Sequence, residues 1–239
     1  MNSQLIISIL IILLLFITLC ICYRKNIYYE KCNNTTFDII PIANILNYLQ
    51  SGDIILFRSN IINYKYFIFS HSFFTHVGIV IKNNNLFSKN NNLYICEKNI
   101  PNTTIFGDSN INPLLDRIMS FNGSCYLMKL NKPLNFIREK LLKSFALKTF
   151  VDPILYPNAL NSIKTYFKQI FKLNINYKYM HCFQYIAYIL DYINITNNLY
   201  LYNNIEICNK VNNLFEKKLN DGYSYAKPIQ IILNPSLHL

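Results

Sequence analysis

Tryptophan is absent from the sequence, and glycine and proline are scarce, at five and eight in 239 residues. Asn, Ile, Lys, Tyr and Phe fill the space instead. That profile reads as AT-rich codon usage rather than as selection for a chemistry, so runs such as Asn83-Asn84-Asn85 carry little information. Acidic residues are also few: 12 Asp and Glu face 23 Lys and Arg, for a formal charge of +11. The charge favours anionic surfaces. No zinc-ligand spacing and no basic-aromatic module accompanies it, which argues against specific nucleic-acid binding. No internal repeat is present. Cysteine is not lacking, but a framework is: seven residues, an odd number, fall irregularly at Cys20, Cys22, Cys32, Cys96, Cys125, Cys182 and Cys208. Reduced thiols in a cytosol-like compartment fit this better than a disulfide scaffold.

There is one long hydrophobic run. Residues 5–22, LIISILIILLLFITLCIC, hold no charge and as a helix would extend about 27 Å, close to one bilayer core. The basic leader and small-residue cleavage site of a signal peptide are missing, so the run predicts an uncleaved anchor. Tyr23, Arg24 and Lys25 follow it directly. By the positive-inside bias the body of the protein would then be cytoplasmic or, in a virus, virion-internal. The expected organisation is a single-pass anchor over 1–25, a tether over 26–44 with a polar Asn-Asn-Thr-Thr centre, and one folded domain over 45–239, long enough to bury a sizeable core.

Within that domain Ile54–Phe57, Val77–Ile81, Leu93–Cys96 and Cys125–Met128 are short β-rich runs bounded by turn formers. After Pro133 the period changes. Phe136, Ile137, Leu141, Leu142 and Phe145 recur at helical spacing and predict a helix ending before Asp152-Pro153. Further helices are expected over 161–171, from Cys182 through Ile193, and over 205–219. Strands followed by helices indicate an α+β domain built on an antiparallel sheet.

The chemistry concentrates at Cys182. A thiol becomes nucleophilic when it is held as thiolate, by a helix N-terminus or by an adjacent imidazole. Cys182 stands at the expected start of the helix, where unpaired N–H groups would stabilise a thiolate and contribute to an oxyanion hole. The candidate base is His76, at the head of an apolar strand. Glu97, ending the next strand, is the best placed acid to orient the imidazole, with Asp108 as fallback. His71 and His181 compete for attention; His181 adjoins Cys182 and is expected to point away from it. Neither pairs with other ligands at metal spacing, so no metal and no cofactor is expected. Gly52-Asp53 reads as a turn entering a strand rather than as catalytic.

Three motifs, Ser51-Gly52-Asp53-Ile54-Ile55-Leu56-Phe57, Thr75-His76-Val77-Gly78-Ile79-Val80 and Cys182-Phe183-Gln184-Tyr185-Ile186-Ala187-Tyr188-Ile189-Leu190, resemble in content and order those of the circularly permuted NlpC-type papain-like superfamily. That group includes the YiiX-like hydrolases and the lecithin:retinol acyltransferase-like enzymes. The resemblance covers roughly 49–193, with Tyr223–Pro228 similar to the family's C-terminal segment. It implies a permuted papain-like fold with Cys182 as nucleophile, His76 as base and a third polar residue, for which Glu97 is matched. Phe183 departs from the small residue that members often carry after the nucleophile. The implied activity is hydrolysis or acyl transfer on an amide or ester through an acyl-enzyme. The anchor and basic charge incline the substrate toward a lipid interface. The alternative expectation is an inactive, membrane-tethered structural or interaction protein such as a virion component; a poxvirus-like or giant-virus genome would suit the codon bias.

Overall fold

The computed structural model describes residues 8, 11, 12, 15, 18, 19, 36–60, 73–82, 92–98, 111–152, 154, 180–199, 208 and 210–233. Its described part is a mixed α+β domain: a seven-stranded sheet with helices packed on both faces. The strands are β1 (Ile39–Pro41), β2 (Ile54–Ser59), β3 (His76–Lys82), β4 (Leu93–Glu97), β5 (Ile111–Pro113), β6 (Gly123–Met128) and β7 (Ile229–Ile232). They lie in the order β1-β7-β6-β2-β3-β4-β5, every neighbouring pair antiparallel except β1 with β7. The helices are α1 (Ile42–Ile45), α2 (Leu114–Met119), α3 (Phe136–Val151) and α4 (Cys182–Tyr192).

The four strands expected from the sequence are β2, β3, β4 and β6, and they form the centre. Ile54, Ile55, Leu56 and Phe57 are all fully buried, the near-continuous apolar run of a strand covered on both faces. Strand alternation divides the core. Val77, Ile79, Ile81, Tyr94, Cys96, Tyr126 and Met128 join the apolar side chains of α3 and α4 on one face. Ile55, Phe57, Val80, Ile95 and Leu127 meet Leu114 and Ile118 of α2 and Ile42 and Ile45 of α1 on the other.

Three strands were not expected. β1 draws Ile39–Pro41, assigned from the sequence to the tether, into the sheet edge beside β7, so the fold begins before Ile45. β7 returns from the C-terminal tail to pair with β6, and β5 pairs with β4. The helix expected over 205–219 is broken: helical residues at 208 and 210–212 give way to a 3₁₀ turn at Leu214–Glu216. The expected helix over 161–171 lies outside the described residues. So does most of the proposed anchor; Ser8, Ile11, Ile12, Leu15, Thr18 and Leu19 are helical and exposed. No helix among the described residues is long and apolar enough to cross a membrane.

α3 starts where Pro133 ends the preceding chain, and Asn135 caps it by accepting the Arg138 N–H at 2.9 Å, an N-cap of the usual side-chain type. α4 packs on β3 and β4. A buried polar contact fixes its height: the Tyr185 hydroxyl lies 3.2 Å from Cys96 Sγ on β4 and 3.0 Å from Thr149 Oγ1 on α3.

Candidate active site

β3 begins with His76 and α4 begins with Cys182, and this is why the two can meet. A strand interior commits each side chain to one face, whereas the first residue of a strand sits at the sheet's end. The His76 ring lies 5.4 Å from the Phe57 ring, among the residues of the α2 face. Cys182, which opens the helix packed on the opposite face, lies beside the ring, close enough to act on its charge. His76 Nε2 is engaged at 2.7 Å by Glu97 Oε2. The order of contacts is therefore Cys182, His76, Glu97. His76 keeps 15% of its side chain exposed, while Glu97 is fully buried.

Gly78 makes the last of these contacts possible. It is the register partner of Glu97 across β3 and β4. A Cβ there would stand 2.5 Å from Ile95 Cδ1 and 3.2 Å from Glu97 Cβ. Only a residue without a side chain lets Ile95 fold over the strand and the Glu97 carboxylate turn toward His76.

Burial works against a charge on His76, yet Cys182 beside it and the Glu97 carboxylate together raise its pKa to about 9. Burial likewise opposes the charge on Glu97, and here the bonds and charges of His76 and Arg117 prevail and hold it down at about 2. The pair is thus an imidazolium and a carboxylate at neutral pH. Burial pushes the Cys96 and Cys125 thiols up to about 12 and raises Cys208 as well.

Cys182 is the first residue of α4. Its N–H and those of Phe183 and Gln184 precede the first helical bond, from Tyr185 N–H to the His181 carbonyl at 2.8 Å. Such N–H groups carry the positive end of the helix dipole and are suited to a thiolate or an oxyanion. His181 is the N-cap residue, and burial pulls its pKa down to about 4, so it stays neutral. His71 and Asp108 lie outside the described residues.

Two functional neighbours went unnoticed in the sequence. Arg117 of α2, buried, donates from Nε to Glu97 Oε1 at 2.6 Å, and Asn112 of β5 donates to the same oxygen at 3.1 Å. The guanidinium also stacks on Phe57, at 4.8 Å from the ring centre. An arginine inside a six-residue helix carries no local motif. The one available signal was that a buried acid on β4 requires a cation nearby.

The Gly52-Asp53 turn, read from the sequence as entering a strand, leads into β2. Asp53 is fully buried and accepts from Leu130 N–H at 2.8 Å, Gln50 N–H at 2.9 Å and Lys129 Nζ at 3.1 Å. The Tyr225 hydroxyl donates to the Gly52 carbonyl at 2.8 Å, which ties the C-terminal segment to the same turn.

No protein-family model matches the chain, and no curated protein matches it. Among solved structures, the metalloprotein yiiX from Escherichia coli O157:H7 aligns with a TM-score of 0.41 and 14% identity, over 78% of this chain and 89% of that one.

Proposed function

We propose that this protein is a cysteine hydrolase or acyltransferase of the circularly permuted papain-like kind, acting on an amide or ester, with Cys182 as nucleophile, His76 as acid and base, and Glu97 as the group that orients His76. The observation that carries the reading is His76, beside the first residue of α4, held at 2.7 Å by a fully buried carboxylate. A carboxylate with no exposed surface is a costly element, and its place behind an imidazole that faces a thiol is what nucleophilic catalysis requires.

The Cys182 thiolate attacks the substrate carbonyl carbon, forming a C–S bond as the carbonyl π pair moves to oxygen. The N–H groups at the start of α4 receive that oxyanion. As the intermediate collapses, the C–N or C–O bond breaks and the His76 imidazolium gives its proton to the leaving group. Water or a second acceptor then attacks the thioester, surrendering its proton to His76, and Cys182 leaves as thiolate. Residues 5–22 would anchor the enzyme in a membrane and bring this site to a lipid interface, which makes acyl lipids the first substrates to screen.

The test is alkylation of the full chain in detergent micelles by iodoacetamide at about pH 6, with mass spectrometry of each cysteine. Cys182 is expected to react at least about tenfold faster than Cys96, Cys125 and Cys208, and His76→Ala to remove that advantage. Equal rates at the four thiols would leave the reading without a nucleophile and favour the inactive, structural alternative.

A further inference from the structure

We infer that Arg117 is a positioning residue for this site: it neutralises Glu97, so that Cys182 and His76 can persist together as a thiolate and an imidazolium. The inference rests on the reading of Cys182, His76 and Glu97 as a catalytic unit and goes one residue beyond it.

The argument is one of charge in a buried place. Cys182, His76, Glu97 and Arg117 follow one another in contact, and as thiolate, imidazolium, carboxylate and guanidinium they sum to zero. Burying an uncompensated charge is far more costly than burying a matched set. Without Arg117 the same site, with its ion pair formed, would hold a net negative charge. The least costly correction is a proton on the thiolate, which disables the nucleophile. Asn112 satisfies Glu97 Oε1 by a neutral bond and cannot supply the missing charge.

The other groups facing the site do not change this sum. Cys96, on β4, Cys125, on β6, and Cys208 have raised pKa values and remain neutral thiols. His181, preceding α4, remains a neutral imidazole. Lys98, which follows Glu97 just beyond the end of β4, is buried and engages a partner of its own. Arg117 also packs against the edge-to-face pair of Phe57 and Phe121, 4.8 Å and 5.3 Å from their ring centres. Its charge is therefore a fixed part of the site.

The experiment measures the rate of Cys182 alkylation from about pH 5 to 9.5 in the full chain in micelles, for the wild type, Arg117→Met, Arg117→Lys and the double variant Glu97→Gln/Arg117→Met. One unit of pH is about a tenfold change in thiolate where the thiol is mostly protonated. Arg117→Met is expected to slow alkylation about tenfold at pH 7 and by less than about twofold at pH 9.5, with Arg117→Lys between it and the wild type. In the double variant both charges are gone, the sum is again zero, and the amide oxygen introduced at position 97 can still accept from His76 Nε2. At pH 7 it should be alkylated faster than Arg117→Met, which a merely structural role for Arg117 would not produce. A double variant as slow as Arg117→Met at pH 7, or an Arg117→Met profile equal to the wild type, overturns the inference. If Arg117→Met does not fold, the double variant is compared with Glu97→Gln instead: removing Arg117 is then expected to slow alkylation at pH 7, and equal profiles overturn the inference. Loss of Cys182 selectivity in the wild type is a separate outcome, which removes the catalytic reading and this inference with it.

Discussion

Glu97 Oε2 and His76 Nε2 lie 2.7 Å apart, with the carboxylate wholly buried behind the imidazole. The pair couples the site to the stability of the fold. Glu97 titrates at about 2 when folded against an ordinary 4.5, so its contribution is present above pH 4.5 and is lost as pH falls toward 2. His76 titrates at about 9 against 6.5, so its contribution is complete below pH 6.5 and is lost as pH rises through 9. The two shifts overlap in the His76–Glu97 contact, with Cys182 adding to that of His76 and Arg117 to that of Glu97. Thermal melts of the wild type and of His76→Gln/Glu97→Gln should differ most between about pH 5 and 6 and converge on either side. A gap that stays constant from about pH 2.5 to 9.5 would show that the pair is not ionised.

Cys182 is the largest of the influences that raise His76, followed by Glu97. Removing the sulfur should therefore lower the titration of the ring well below 9, because burial then meets less opposition. Side-chain NMR of His76 in the wild type and in Cys182→Ala reads this directly. An unchanged midpoint would mean that the imidazolium is not held by the thiolate.

The central strands and the elements that carry His76 and Cys182 were legible because each is a local pattern. Ile54–Phe57 and Val77–Ile81 are β-rich runs between turn formers, and Cys182 opens an apolar helix. β1, β5 and β7 are short and gain their strand character from neighbours far along the chain: Ile39 pairs with Gln230, and Cys125 with Ile231. No window of sequence contains that information. Arg117 was hidden for the same reason, since only the packing of α2 on β4 reveals the carboxylate it serves. Glu97 could be found because it ends the strand that follows the His76 strand.

Gly78→Ala tests whether the site depends on a close approach of two strands. The new methyl would fall 2.5 Å from Ile95 Cδ1 and 3.2 Å from Glu97 Cβ, and Ile95 is itself fully buried. Overpacking of this kind costs about 1–3 kcal/mol, read as a lower midpoint of denaturant unfolding. The Glu97 carboxylate should also retreat from His76, lowering the ring's titration by NMR. A loss of stability with no change at His76 would confine Gly78 to packing.

Asp53 separates structure from chemistry. It binds Gln50 N–H, Leu130 N–H and Lys129 with no exposed surface, and none of these partners belongs to the run from Cys182 through His76 to Glu97. In Asp53→Asn one carboxylate oxygen becomes an NH₂ that faces an N–H donor. One buried backbone donor loses its acceptor, a cost of about 1–3 kcal/mol. Unfolding midpoints should drop accordingly, while the pH profile of Cys182 alkylation in the folded variant keeps its shape. The two readouts must part for the assignment to stand. If Asp53→Asn displaced the alkylation profile as well, the Gly52-Asp53 turn would belong to the active site and the boundary drawn here around Cys182, His76, Glu97 and Arg117 would be too narrow.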